Sequence, residues 1–179
     1  MLHISSIRYI LIFVLLVFLQ VVILNSISFL SFAIPLVYIY FIIKLPVKIN
    51  QNLILLLGFA LGFVIDLFSN TPGVNAAATT VAALVRKPIM SIFFMTEEYA
   101  DTEPAIATVG TATFIKFSTL MILLHTIVLV SIESFSYFNI KLILFRIVFS
   151  TFISAIIIFG FEGFGASKKN NASSSWRKI

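Results

Sequence analysis

Long apolar runs, each close to the ~20 residues that a helix needs to cross hydrocarbon, alternate along this chain with short polar breaks. They fall at about 7–24, 29–43, 53–68, 74–92, 115–132 and 141–160. The pattern predicts an all-α integral membrane protein with six transmembrane helices. The second run is short and contains Pro35, and the fourth is weakly hydrophobic and rich in Ala and Thr. Helices of that kind pack against protein neighbours rather than lipid. The first run, "MLHISSIRYILIFVLLVFLQVVIL", has one early Arg but no small-x-small cleavage site, and reads as a membrane helix rather than a signal peptide.

The polar breaks set an orientation. Arg8, Lys44, Lys48, Arg86, Lys87, Lys116, Lys168, Lys169, Arg177 and Lys178 all belong to one side, and only Lys141 and Arg146 depart from it. The alternate connections, 25–28, 69–73 and 134–139, carry no Lys or Arg. A positive-inside bias of this kind predicts that both termini are cytoplasmic. The outer connections are too short to fold by themselves, so the chain divides into one membrane domain, 1–165, and a polar basic tail, 166–179, expected to be disordered. The largest inner connection, about 93–114, holds Glu97, Glu98, Asp101 and Glu103. It reads either as a solvated acidic loop or as a cytoplasmic docking site.

Composition agrees: 60% of the residues are hydrophobic, 11% are charged and 20 are Phe, with a mean hydropathy of +1.13. The net charge of +5 is not gathered into a stretch able to track phosphates, so nucleic acid is not an expected partner. Cysteine is absent, and His3 and His125 lack metal-ligand spacing, so no metal or redox cofactor is expected. Nucleotide-binding, metalloprotease and nucleophile-elbow motifs are missing too, and Glu97 and Glu98 diverge on any helix. The reading is non-enzymatic.

A few polar residues interrupt the apolar runs. Asp66 lies near the outer end of the third run, just before Pro72 and Gly73, which suit a tight helical hairpin. Two roles are open for its carboxylate: capping the free N–H groups near Val74–Ala76, or pairing with Arg146 at comparable depth. Glu133 is a second candidate partner for Arg146. His125, near the midplane, reads as a hydrogen-bonded packing residue or, alternatively, a proton carrier. Gly58 and Gly62 form a GxxxG spacing that allows close helix approach, either to the Ala/Thr-rich fourth run within the chain or in a dimer.

The stretch "LLLGFALGFVIDLFSNTPGVNAAATT", with the later "LLHTIVLVSIESFSYFNIKLILFRIVFSTFISAIII", resembles the rod shape-determining MreD family. Gly62, Asp66, Pro72 and Gly73 carry the motif. Many members place a residue between the Pro and the Gly, whereas here the two are adjacent. The resemblance implies a multi-pass protein of the bacterial cytoplasmic membrane with no catalytic role. Its implied partners are an MreC-like protein, a RodA-type glycosyltransferase, a penicillin-binding transpeptidase and the MreB filament, within the peptidoglycan-synthesising elongation complex. It further implies lateral docking, in which small-residue grooves near Gly58 and Gly62 accept a partner's membrane helix. The six-helix fold is also similar to the substrate-binding subunits of energy-coupling-factor vitamin transporters, which supply the alternative function.

Overall fold

Proline cannot donate to a helix and its ring clashes with the preceding turn, so Pro35 decides how the second apolar run folds. The computed structural model describes residues 2–24, 33–94, 98–99, 102–134 and 139–175. Among these, 33–38 form no helix, and only Ile39–Lys44 closes into a short helix, α2. Five helical stretches are long and apolar enough to cross a membrane, at Ile7–Leu24, Gln51–Ser69, Val74–Phe93, Thr111–Glu133 and Ile140–Gly163. The expectation of six membrane-length helices is corrected at the second run, and the part of that run before Ala33 lies outside the described residues.

The elements in order are α1 (Leu2–Phe18), continuing as a π-helical turn through Leu19–Leu24, then α2, α3 (Gln51–Ser69), α4 (Val74–Phe93), a single turn α5 (Ile106–Val109), α6 (Thr111–Glu133) and α7 (Ile140–Ser175). The described residues are helical or irregular, without strands. Helix α7 continues through 166–175, where a disordered tail was expected, because no proline interrupts it; residues 176–179 lie outside the description.

The segment 33–45 is the centre of the molecule. Val37, Tyr38, Ile39, Ile42 and Ile43 have no exposed surface at all, and the longer helices enclose them. Its extended part has lost the internal hydrogen bonds of a helix, and neighbouring side chains replace them. Gln20 Nε2 donates to the Pro35 carbonyl at 2.9 Å, and Gln20 Oε1 accepts from Val37 N–H at 3.0 Å. Ser150 Oγ accepts from Ile34 N–H at 3.1 Å, and Ser154 Oγ from Leu36 N–H at 2.7 Å. The two serines stand one turn apart on α7 and therefore face the irregular segment together. Backbone of this kind is tolerated at membrane depth only when it is sheltered and satisfied by protein.

Helix α4 packs between α3 and α6. A methyl group placed at Gly58 would stand 2.9 Å from Ala83 Cβ and 3.0 Å from the Thr79 carbonyl oxygen, and one at Gly62 would overlap the Asn75 carbonyl, Thr79 Oγ1 and Ala76 Cα. The GxxxG face is thus occupied by α4 within the chain, and these two glycines offer no groove to a partner helix. Pro88 in α4 leaves the Leu84 carbonyl without its helical donor. Gln51 Nε2 approaches that oxygen at 3.4 Å and the Ala83 carbonyl at 3.2 Å. Outward, Ile10, Leu11, Val14 and Phe18 of α1 and Leu144, Phe145, Val148 and Phe152 of α7 remain exposed. Such surfaces suit a lipid environment.

Two substitutions test this packing. Ser154→Ala leaves the Leu36 N–H unpaired in the core, an expected loss of about 1–3 kcal/mol, and Gly62→Leu forces α3 and α4 apart. Thermal unfolding in detergent should show both midpoints lowered, Gly62→Leu by more. An unchanged midpoint for Gly62→Leu would contradict the observed approach of the two helices.

Candidate functional site

Helix α3 stops at Asn70, whose left-handed backbone (φ 55°, ψ 39°) reverses the chain, and α4 begins after Gly73, at φ 83°. Glycine is suited to that angle but brings no side chain to cap the new helix. Asp66, one turn before the end of α3, supplies the cap instead. Its Oδ1 accepts from Asn75 N–H, Asn75 Nδ2 and Thr71 Oγ1, each at 2.9 Å, and its Oδ2 accepts from Ala76 N–H at 2.9 Å. The carboxylate therefore lies at the positive end of α4, where a negative charge is favoured.

From Asp66 the hydrogen bonds lead into the core. Asn75 Nδ2 also donates to Thr71 Oγ1 at 3.0 Å, while Asn75 Oδ1 accepts from the Tyr38 hydroxyl at 2.6 Å. The same hydroxyl lies 3.1 Å from His125 Nε2. Because the phenol has given its one proton to Asn75, the hydrogen-bond pattern assigns the imidazole proton to Nε2. His125 Nδ1 is then an acceptor, and it has no partner among the described residues. The chain Asp66–Asn75–Tyr38–His125 joins the hairpin turn to α6 through the irregular segment.

Arg146 pairs with Glu133 at 2.9 Å, and its guanidinium makes no contact with Asp66. Of the roles considered for Asp66, capping is the one that the geometry displays. Pro72 and Gly73 stand exposed at the turn. Beside it lies a cavity of about 220 Å³. Gln20, Ser69, Thr71, Asn75 and Glu133 form its polar wall, and Ile34, Leu36, Ile65 and Leu129 its apolar wall.

A second polar group closes the opposite, basic end. Glu162 on α7 receives Lys44 Nζ at 3.2 Å, the Tyr40 hydroxyl at 2.6 Å and Ile106 N–H at 3.2 Å. Glu103 receives Arg8 at 2.6 Å and the Tyr9 hydroxyl at 2.5 Å. Arg86, fully buried, donates to the carbonyls of Ile43, Leu45 and Pro46 at the end of α2. Lys44 and Arg86, expected to mark topology, hold the α2 end of the irregular segment. Of the acidic connection, Glu98 is exposed, whereas Glu97 and Asp101 lie outside the described residues.

Sequence reasoning missed Gln20, Tyr38, Asn75, Ser150, Ser154 and Glu162. Gln20 was visible as the one amide in its apolar run, and Ser150 and Ser154 as a polar pair at helical spacing. Among the described residues no group of three or more His, Asp or Glu side chains converges as a metal site.

The fold and its site define a multi-pass helical membrane protein whose buried polar groups serve an irregular central segment and a hairpin turn. Comparison with family models, with curated proteins and with solved structures finds no match.

The polar chain predicts a graded response. Asp66→Ala removes every cap bond, whereas Asp66→Asn keeps one acceptor and sets an amide N–H₂ against a backbone N–H. Tyr38→Phe leaves Asn75 Oδ1 and His125 Nε2 unpaired, at about 1–3 kcal/mol for each buried group. Unfolding midpoints should fall in all three, with Asp66→Ala below Asp66→Asn. Wild-type melting of Asp66→Ala would show that the cap contributes nothing.

Proposed function

We propose that the chain is a non-catalytic scaffold of the bacterial cell-wall elongation machinery, similar to MreD proteins and resident in the cytoplasmic membrane. The observation that carries this reading is the use to which the family-like residues are put. Gly62 admits α4, Asp66 caps it, and Gly73 supplies its entry angle. A motif whose members all serve one hairpin preserves a shape rather than a reaction.

In this reading the chain crosses the bilayer six times, the second crossing being the segment 33–44. Five irregular residues, 33–37, and seven turn or helical ones, 38–44, span at most about 28 Å together, close to the ~30 Å hydrocarbon. The basic end faces the cytoplasm, with both termini. Because α4 covers Gly58 and Gly62, an MreC-like membrane helix docks on an outward apolar face of α1 or α7, and not in the small-residue seam. The cytoplasmic components meet the basic end and the tail.

Affinity purification of the tagged chain from its own membranes in mild detergent, followed by mass spectrometry, should recover an MreC-like protein with the RodA-type glycosyltransferase, its transpeptidase and MreB. Recovery of paired ATPases with a coupling membrane subunit would replace the scaffold by a transporter subunit. Orientation is tested separately, since the chain has no cysteine. With a membrane-impermeant thiol reagent, Asn70→Cys should label from outside intact cells and Lys48→Cys should not. The reverse pattern would invert the topology.

A further inference from the structure

The cavity beside the hairpin turn has a chemical bias that its scaffold setting does not require. On its polar wall Thr71 and Asn75 have committed every side-chain proton. Thr71 gives its hydroxyl proton to Asp66, and Asn75 gives both amide protons, to Asp66 and Thr71, while Gln20 gives one amide N–H to Pro35. What Asn75, Thr71 and Glu133 still offer are acceptors. Asn75 Oδ1 holds only the Tyr38 hydroxyl and Thr71 Oγ1 only Asn75, so each keeps a lone pair. Glu133 Oε2 accepts from Arg146, and its Oε1 takes no bond among the described residues.

A wall of acceptors that includes a carboxylate oxygen repels anions and favours a ligand that brings several N–H donors and a positive charge. Opposite it, Ile65 and Leu129 offer an apolar surface to a short hydrocarbon tail. The volume, about 220 Å³, corresponds to roughly seven water molecules at ~30 Å³ each. Thr71 and Glu133 are partly exposed, which places the cavity within reach of the membrane surface at the turn end.

We infer that this cavity binds a primary ammonium group, held by Glu133, Asn75 and Thr71 with its carbon chain against Ile65 and Leu129. The group can belong to a free small amine or to the ethanolamine headgroup of a lipid. The recognition chemistry is the same for both.

The test uses the purified full chain. Isothermal titration in detergent with n-butylammonium should saturate, with tetramethylammonium, which has no N–H, at least tenfold weaker and butyrate silent. Leu129→Phe, which fills the apolar wall and keeps the Glu133–Arg146 pair, should weaken butylammonium at least tenfold, as should Glu133→Gln. Native mass spectrometry from nanodiscs containing equal phosphatidylethanolamine and phosphatidylcholine then distinguishes the sources. Retained phosphatidylethanolamine displaced by butylammonium identifies the headgroup, and saturable butylammonium without lipid retention identifies a free amine. Absence of both overturns the inference, as does butyrate binding equal to butylammonium, or unaltered butylammonium affinity in a folded Leu129→Phe.

Discussion

A backbone N–H or C=O left without a partner in an apolar surrounding costs several kcal/mol, and this protein places an extended stretch at its centre. Most of the remaining architecture can be understood from that constraint. Gln20 satisfies the backbone that follows the Pro35 ring, donating to the Pro35 carbonyl with one end of its amide and accepting from the Val37 N–H with the other. The Ser150 and Ser154 hydroxyls complete the set from the far side. Two helices from distant parts of the sequence are thereby tied to one irregular segment, and neither can slide without exposing a polar backbone group. The short α2 then restores internal bonding, and at its end Arg86 takes up carbonyls that the helix leaves over.

The hairpin between α3 and α4 solves a smaller version of the same problem. A tight reversal needs Gly73, and glycine cannot cap, so the cap comes from the helix before the turn. This division of labour also explains why a carboxylate is stable in so apolar a chain. Asp66 has four hydrogen bonds and a helix N-terminus, which together replace its hydration without a cationic partner. Arg146 meets Glu133 instead, nearer in the fold because α6 and α7 are consecutive.

Much of the helical framework was legible because it follows from simple periodicity and length: α1, α3, α4, α6 and α7 coincide with five of the six apolar runs. The second run was misread as a full helix because hydropathy registers only that 29–43 is apolar, and a sheltered irregular segment is as apolar as a span. Pro35 was the visible warning. At the site, Asp66, Glu133, Arg146 and His125 could be picked out as charges or titratable groups in hydrocarbon. Asn75 and Tyr38 could not, since an uncharged polar residue is unremarkable until its neighbour is known to lack a hydrogen-bond partner. Glu162 was missed for another reason: it lies just past the apolar run, where a carboxylate reads as ordinary surface, although α7 continues and buries it.

The π-helical turn at Leu19–Leu24 gives the first helix a property that its composition does not reveal. A π turn holds one residue more than the α turn it replaces, so it shifts the phase of everything around it by roughly 100°. Gln20 lies within it and points to the irregular central segment rather than to lipid. Point substitutions in this helix alter single contacts, but losing one residue here would re-phase a whole face. Lineages of this protein should therefore tolerate spelling changes in the first helix far more readily than changes in its length.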